Sequence, residues 1–145
     1  MLRPELVKRI DEVLSAVNEQ SSLIVDARPH SRWLGIESEN RPGVASGRIP
    51  GSVNVPFRSL LEDDDMTRFK LVDELEAVFA RAGVDLGSNT QIINTCGSGV
   101  SAAITSFAMH LCKRPLESVP VYDGSWAEWG SQTDTPKETG PSGKC

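Results

Sequence analysis

Four short apolar-rich runs, separated by helically spaced stretches or glycine-bearing loops, constrain this chain more than any other feature. They lie at residues 22–26, 52–55, 91–95 and 119–123. Runs of this length, bounded by polar or turn-forming residues, suit strands buried on both faces. Between them, Leu71, Val72, Leu75, Val78 and Phe79 recur at helical spacing, as do Ala103, Ile104, Phe107, Ala108 and Leu111. Gly83 and Pro115 supply the stops. Ahead of the first run, Leu6, Val7, Ile10, Val13, Leu14 and Val17 form one stripe, which predicts a helix beginning near Pro4 with no strand before it. Strands that alternate with helices return in the same direction through helical crossovers. The predicted class is therefore α/β, a small parallel sheet with helices on both faces.

A chain of 145 residues with 39% hydrophobic and 24% charged residues supports one domain with a core. That domain is expected over residues 1–130. Residues 131–145 are polar and rich in Gly, Pro, Ser and Thr, and read as a flexible tail. No apolar run approaches the roughly 20 residues that span a bilayer, so no membrane role is expected. The N-terminal stretch has no unbroken apolar segment, and Glu5, Asp11 and Glu12 argue against a transit peptide. The expected location is cytoplasmic, or mitochondrial if the natural chain is longer. Fifteen Lys and Arg stand against twenty Asp and Glu, a formal charge of −5, which excludes a nucleic-acid surface. Cys96, Cys112 and Cys145 form neither a disulfide framework nor a zinc spacing, so no metal or cofactor is expected.

In parallel α/β sheets the ligand site lies beyond the carboxyl ends of the strands. That rule gathers Asp26, Arg28, Cys96 and Asp123 at one edge. Cys96 stands between a strand and a helix and is followed by Gly97, Ser98 and Gly99. The two glycines allow a tight curl whose amides point inward, and the helix starting near Ser101 adds its positive end. Both stabilise a thiolate, or an anion carried on it. A buried structural cysteine is the competing reading, and Cys112, on the apolar stripe of its helix, fits it better. Asp26 and Arg28 are close enough in sequence to form a structural ion pair beside the site. Residues 28–48, holding Pro29, Gly35, Pro42, Gly43 and Gly47, form a long irregular stretch of the kind that carries function. His30 and His110 show no partner. Trp126 and Trp129 read as core.

Four separated motifs then carry a family resemblance. Val25-Asp-Ala-Arg28, the stretch from Gly47 to Pro56 (GRIPGSVNVP), Cys96-Gly-Ser-Gly-Val100 and the stretch from Tyr122 to Trp129 (YDGSWAEW) follow one another in the order of the rhodanese superfamily. They most resemble the catalytic C-terminal half of the mercaptopyruvate sulfurtransferases within it. The resemblance implies that Cys96 carries sulfur as a persulfide. It implies too that Arg32 and Arg41 hold the carboxylate and carbonyl of 3-mercaptopyruvate, and that Gly97, Gly99, Val100 and Ser101 line the loop that receives it. Ser98 either passes a proton and bonds the substrate carbonyl, or caps loop amides; Ser101 reads as a helix cap.

Thiosulfate-using relatives place Arg and Lys directly after the cysteine. Gly97 and Ser98 stand there instead, so the resemblance implies that thiosulfate is handled less well. Related phosphatases end the loop with a phosphate-clamping Arg, and Ala102 occupies that place here. The implied partners are a small sulfur donor and a thiol or cyanide acceptor, with thioredoxin among the candidate thiols. The resembling enzymes pair two such domains around the site, so a second rhodanese-like domain absent from this chain is a further implied partner. The alternative is a non-enzymatic rhodanese-like module, or a sulfur carrier that binds a partner protein.

Overall fold

The five strands lie parallel in the order β1-β5-β4-β2-β3. They are β1 (Val7–Lys8), β2 (Ser22–Asp26), β3 (Val53–Asn54), β4 (Gln91–Thr95) and β5 (Val121–Tyr122). The computed structural model describes residues 3–141. Cys145 and the end of the expected tail lie outside the described residues. Five α-helices connect and cover the sheet: α1 (Ile10–Glu19), α2 (His30–Leu34), α3 (Val72–Arg81), α4 (Val100–Leu111) and α5 (Ser125–Trp129). Among the described residues no helix is long and apolar enough to cross a membrane.

The two central strands pair in full register, from Ser22 against Gln91 to Asp26 against Thr95. Their side chains alternate between two cores, as a pleated strand requires. Val25 and Ile92 face Leu75 and Phe79 of α3 and Ala108 and Met109 of α4, with Cys112 in the same cluster. Ile24 and Ile93 face Val13 and Ala16 of α1 and Trp126 and Trp129 of α5. The structure is therefore the three-layer α/β arrangement expected, with both tryptophans in the core.

Two expectations are corrected. The chain does have an edge strand ahead of its first helix: β1 pairs with β5, Val7 opposite Val121 and Lys8 opposite Tyr122. Pro4 opens a 3-10 turn (Pro4–Leu6) in place of that helix, and α1 starts only at Ile10. The stretch beyond residue 130 is also not a loose tail as far as it is described. Arg48 and Glu138 form an antiparallel bridge, with Arg48 N donating to Glu138 O at 2.9 Å and Glu138 N to Arg48 O at 3.0 Å. Thr135 is buried, Trp129 Nε1 donates to Pro136 O at 2.8 Å, and Gly140 N donates to Leu34 O at 2.7 Å. Arg48, itself buried, stacks over Trp33 at 4.2 Å and donates to Gly140 O at 2.7 Å. The strap holds because buried backbone groups and one guanidinium are satisfied across it.

Candidate active site

Because Asp26 and Thr95 are register partners, the residues that follow them leave the sheet side by side. Ala27 N donates to Thr95 O at 2.9 Å, which extends the pairing one step. Cys96 is the first residue after β4, only 2% exposed, and packs with Ala27 and Ala102. Its Sγ accepts a hydrogen bond from the amide of Gly99 at 3.0 Å. Among the described residues the amides of Gly97, Ser98, Val100 and Ser101 find no protein acceptor. They are unsatisfied donors gathered at the N-terminus of α4, where the helix dipole favours negative charge.

The curl depends on Gly99. Its φ is +98°, a region side chains rarely adopt, and a Cβ there would stand 2.9 Å from the carbonyl oxygen of Asp123. The far side of the loop is held by α5. Trp126 N donates to Cys96 O and Ala127 N to Gly97 O, both at 2.9 Å. Ser125 Oγ accepts from Cys96 N at 3.1 Å and donates to Tyr122 O at 2.8 Å. Ser125 holds this position with φ at +51°. Ser125 lies within the stretch from Tyr122 to Trp129 that carried the family resemblance, but the sequence reading did not single it out.

A cavity of about 170 Å³ opens over the sulfur. It is lined by Cys96, Gly97, Ser98 and Ser101 from the loop side and by Arg28, Arg32 and Arg41 from residues 28–41. Ser98 is exposed and its hydroxyl is unbonded among the described residues. The Val100 side chain is 71% exposed and outside this lining, so only its backbone amide is placed to serve the site. Asp123 contributes its carbonyl to the close approach at Gly99.

Asp26 and Arg28 form a buried pair. Asp26 accepts from Arg28 Nη2 at 2.8 Å, from Nε at 3.1 Å and from the Arg28 amide at 2.9 Å. Arg28 also donates to Gly47 O at 2.6 Å and lies 4.6 Å from the Trp126 ring. Most of its donors are thereby committed to the scaffold. Arg32 comes from α2, and its Nε donates to Glu37 Oε2 at 3.0 Å. The Ser31 hydroxyl, and then Arg32, hold the Glu37 carboxyl below its ordinary value. Arg41 Nη1 donates to Gly97 O at 3.2 Å. Among the described residues, Nη2 of Arg32 and both Nε and Nη2 of Arg41 have no acceptor. His30, given no partner by the sequence, stacks on Trp33 and shares a 2.9 Å hydrogen bond between its Nδ1 and Asn54 Oδ1.

The sequence reading missed one charged group here. Glu39 faces Arg28, Arg32 and Arg41 together, at 3.4, 4.0 and 4.0 Å. A lone acidic residue in a polar loop gives no sign of such burial.

A buried sulfur in an amide-lined curl, set at the carboxyl edge of a parallel sheet and faced by guanidiniums, forms a cysteine-centred pocket whose donors suit an anion. Residues 9–132 match the Rhodanese-like domain family, and the chain belongs to that family. It is 41% identical over 135 residues to the 3-mercaptopyruvate sulfurtransferase of Escherichia coli (strain K12), covering 93% of this chain and 46% of the relative. It is 39% identical over 147 residues to the thiosulfate sulfurtransferase of Rattus norvegicus, covering 99% of this chain and 48% of the relative. The chain thus spans about half the length of these relatives. Among solved structures it is similar to EanB, in a variant described as carrying a cysteine persulfide with ergothioneine. The TM-score is 0.82 and the identity 27%, over 96% of this chain and 33% of that one.

Proposed function

We propose that this chain is the sulfur-carrying domain of a sulfurtransferase that takes sulfur from 3-mercaptopyruvate, and from thiosulfate less well. The observation that carries the reading is Cys96 Sγ, held by the Gly99 amide at 3.0 Å at the base of a cavity lined by Arg32 and Arg41. The sulfurtransferase relatives and the persulfide described in EanB support the same chemistry.

The donor carboxylate lies against the free N–H groups of Arg32 and Arg41, which can grip it in parallel pairs. The Ser98 hydroxyl is placed to bond the adjacent carbonyl. The Cys96 thiolate attacks the thiol sulfur of mercaptopyruvate. A sulfur–sulfur bond forms as the carbon–sulfur bond breaks, and the bonding pair leaves with carbon as the enolate of pyruvate. A proton delivered to that carbon completes pyruvate, and Cys96 is left as the persulfide. The unsatisfied loop amides then stabilise the outer sulfur until a thiol or cyanide removes it. Gly97 and Ser98 add no cation to the loop, which is why a dianionic donor is the poorer substrate.

Intact-mass and peptide mapping after treatment with mercaptopyruvate test the reading. The expected result is one added sulfur on Cys96, removed by cyanide as thiocyanate and absent in Cys96→Ser. Sulfur confined to Cys112 or Cys145 overturns it. Equal or better efficiency with thiosulfate overturns the donor preference. Loading of Cys96 without turnover in the isolated chain identifies a sulfur-carrier module.

A further inference from the structure

We propose that Glu39 is a specificity-determining residue, the fixed counter-anion that sets the arginine-lined cavity to accept a donor of one negative charge over a donor of two. The inference rests on the sulfurtransferase reading for its choice of donors. The Glu39 side chain is 2% exposed although it belongs to a polar loop. One of its oxygens, Oε2, faces Arg28 Nη1 at 3.4 Å and Arg32 Nη1 at 4.0 Å, and the other, Oε1, faces Arg41 Nη1 at 4.0 Å. Among the described residues it is the one carboxylate that reaches all three guanidiniums. Asp26 is spent on Arg28, and Glu37 lies out on Arg32 with its side chain 48% exposed.

The charge arithmetic follows from these pairs. Three guanidiniums, Arg28, Arg32 and Arg41, are matched by three carboxylates, Asp26, Glu37 and Glu39, so the cluster is neutral before any ligand enters. The only other ionisable side chain lining the cavity among the described residues is Cys96, whose thiolate adds the same charge with or without Glu39 and drops out of the comparison. A monoanionic carboxylate then meets aligned N–H donors with little excess field to reward a second charge, and a dianion gains little more from charge while losing more hydration. Without the Glu39 charge the arginine–carboxylate cluster gains one net positive charge at close quarters, which shifts the preference toward the dianion. Glu39 is therefore more than packing. Its charge, not only its shape, selects the donor.

Glu39→Gln keeps the shape and removes the charge, and Glu39→Asp keeps the charge. The first measurement is the ratio of kcat/KM for thiosulfate to kcat/KM for mercaptopyruvate. It should rise about tenfold or more in Glu39→Gln and stay within about threefold of wild type in Glu39→Asp, the scale expected for one charge at a partly screened site. An unchanged ratio in Glu39→Gln, or an equal loss with both donors, overturns the proposal. The second measurement needs no turnover: the rate of Cys96 alkylation by anionic iodoacetate relative to neutral iodoacetamide, followed by peptide mapping. That ratio should rise several-fold in Glu39→Gln, and a constant ratio overturns the proposal even if neither donor is turned over. If Glu39→Gln fails to fold, the wild-type protein decides: pyruvate should protect Cys96 from iodoacetamide at lower concentration than sulfate, and the reverse order overturns the proposal.

Discussion

Arg41 donates a hydrogen bond from Nη1 to the carbonyl oxygen of Gly97 at 3.2 Å, tying the arginine stretch to the loop one residue beyond the sulfur. The same carbonyl accepts from Ala127 N at 2.9 Å, so α5 and the arginine stretch meet at one backbone oxygen. Arg41 thus both faces the cavity and tethers the cysteine loop.

Arg32 and Arg41 therefore fail differently. On the proposed carboxylate clamp, either residue changed to Gln should lose a charge-assisted hydrogen bond to the donor, at a cost of roughly 1.5–3 kcal/mol, or about tenfold to a hundredfold in kcat/KM for mercaptopyruvate. Arg32→Gln should act mainly through KM, because Arg32 is held by Glu37 and, among the described residues, makes no hydrogen bond to the cysteine loop. Arg41→Gln should lower kcat as well, since the loop loses one of its tethers. Steady-state kinetics on folded variants check both, and wild-type values in both remove the carboxylate clamp.

Gly99 permits no side chain. Alanine there meets a φ of +98° and the Asp123 carbonyl oxygen at 2.9 Å from its Cβ. Strain of this kind costs about 1–3 kcal/mol, and relieving it moves the amide that bonds Cys96 Sγ. Gly99→Ala should slow the loading of Cys96 from any sulfur donor by more than tenfold while lowering the unfolding midpoint only modestly. Unimpaired loading shows that the Gly99 amide does not matter.

The sheet and the cysteine loop were readable because their signals are local. The apolar run at residues 91–95, the glycines that follow and the helical stripe through Ala108 lie within twenty-five residues of one another. What escaped was held together at a distance. β1 is two residues long and exists only through its pairing with β5, and Val7 also continued the stripe of α1, so periodicity absorbed it into the helix. The chain beyond residue 130 looked loose because its composition is polar, yet Arg48 binds it through Gly140 and Glu138. Glu39 went unremarked for the same reason. Burial of a charge depends on partners that only the folded chain brings together. Asp26 and Arg28 were readable as a pair because a single residue separates them, while the reach of Arg28 to Gly47 O was not.

Arg28 belongs to the scaffold by geometry. Replacing it with Gln leaves the Asp26 carboxylate almost wholly buried without its guanidinium, retaining the Arg28 backbone amide as a donor. Breaking a buried pair on one side costs about 3–5 kcal/mol. Urea unfolding should show a loss of that order, far beyond that of Arg32→Gln, whose side chain is partly exposed. A stability equal to wild type contradicts the assignment.

Tyr122 offers a spectroscopic check on the packing between β5 and α5. It is the single tyrosine of the chain and is fully buried. Burial pushes its phenol up, and so does its hydrogen bond to Glu128 Oε1 at 2.8 Å, with the nearby carboxylate charge adding to both. An unfolded tyrosine ionises near pH 10. Below that value the folded and unfolded chains hold the same proton, and the contribution of Tyr122 to stability is complete. As pH rises above about 10 the unfolded state releases its proton first, so stability falls through the range up to the raised folded value. The tyrosinate absorbance near 295 nm should therefore stay absent in the native protein where it is fully developed in denaturant. It should appear only together with loss of the tertiary signal from the tryptophans. Glu128→Gln removes the repulsive charge and should move the onset of ionisation to lower pH. Native tyrosinate at pH 10 without unfolding shows that Tyr122 is not sealed between the sheet and α5.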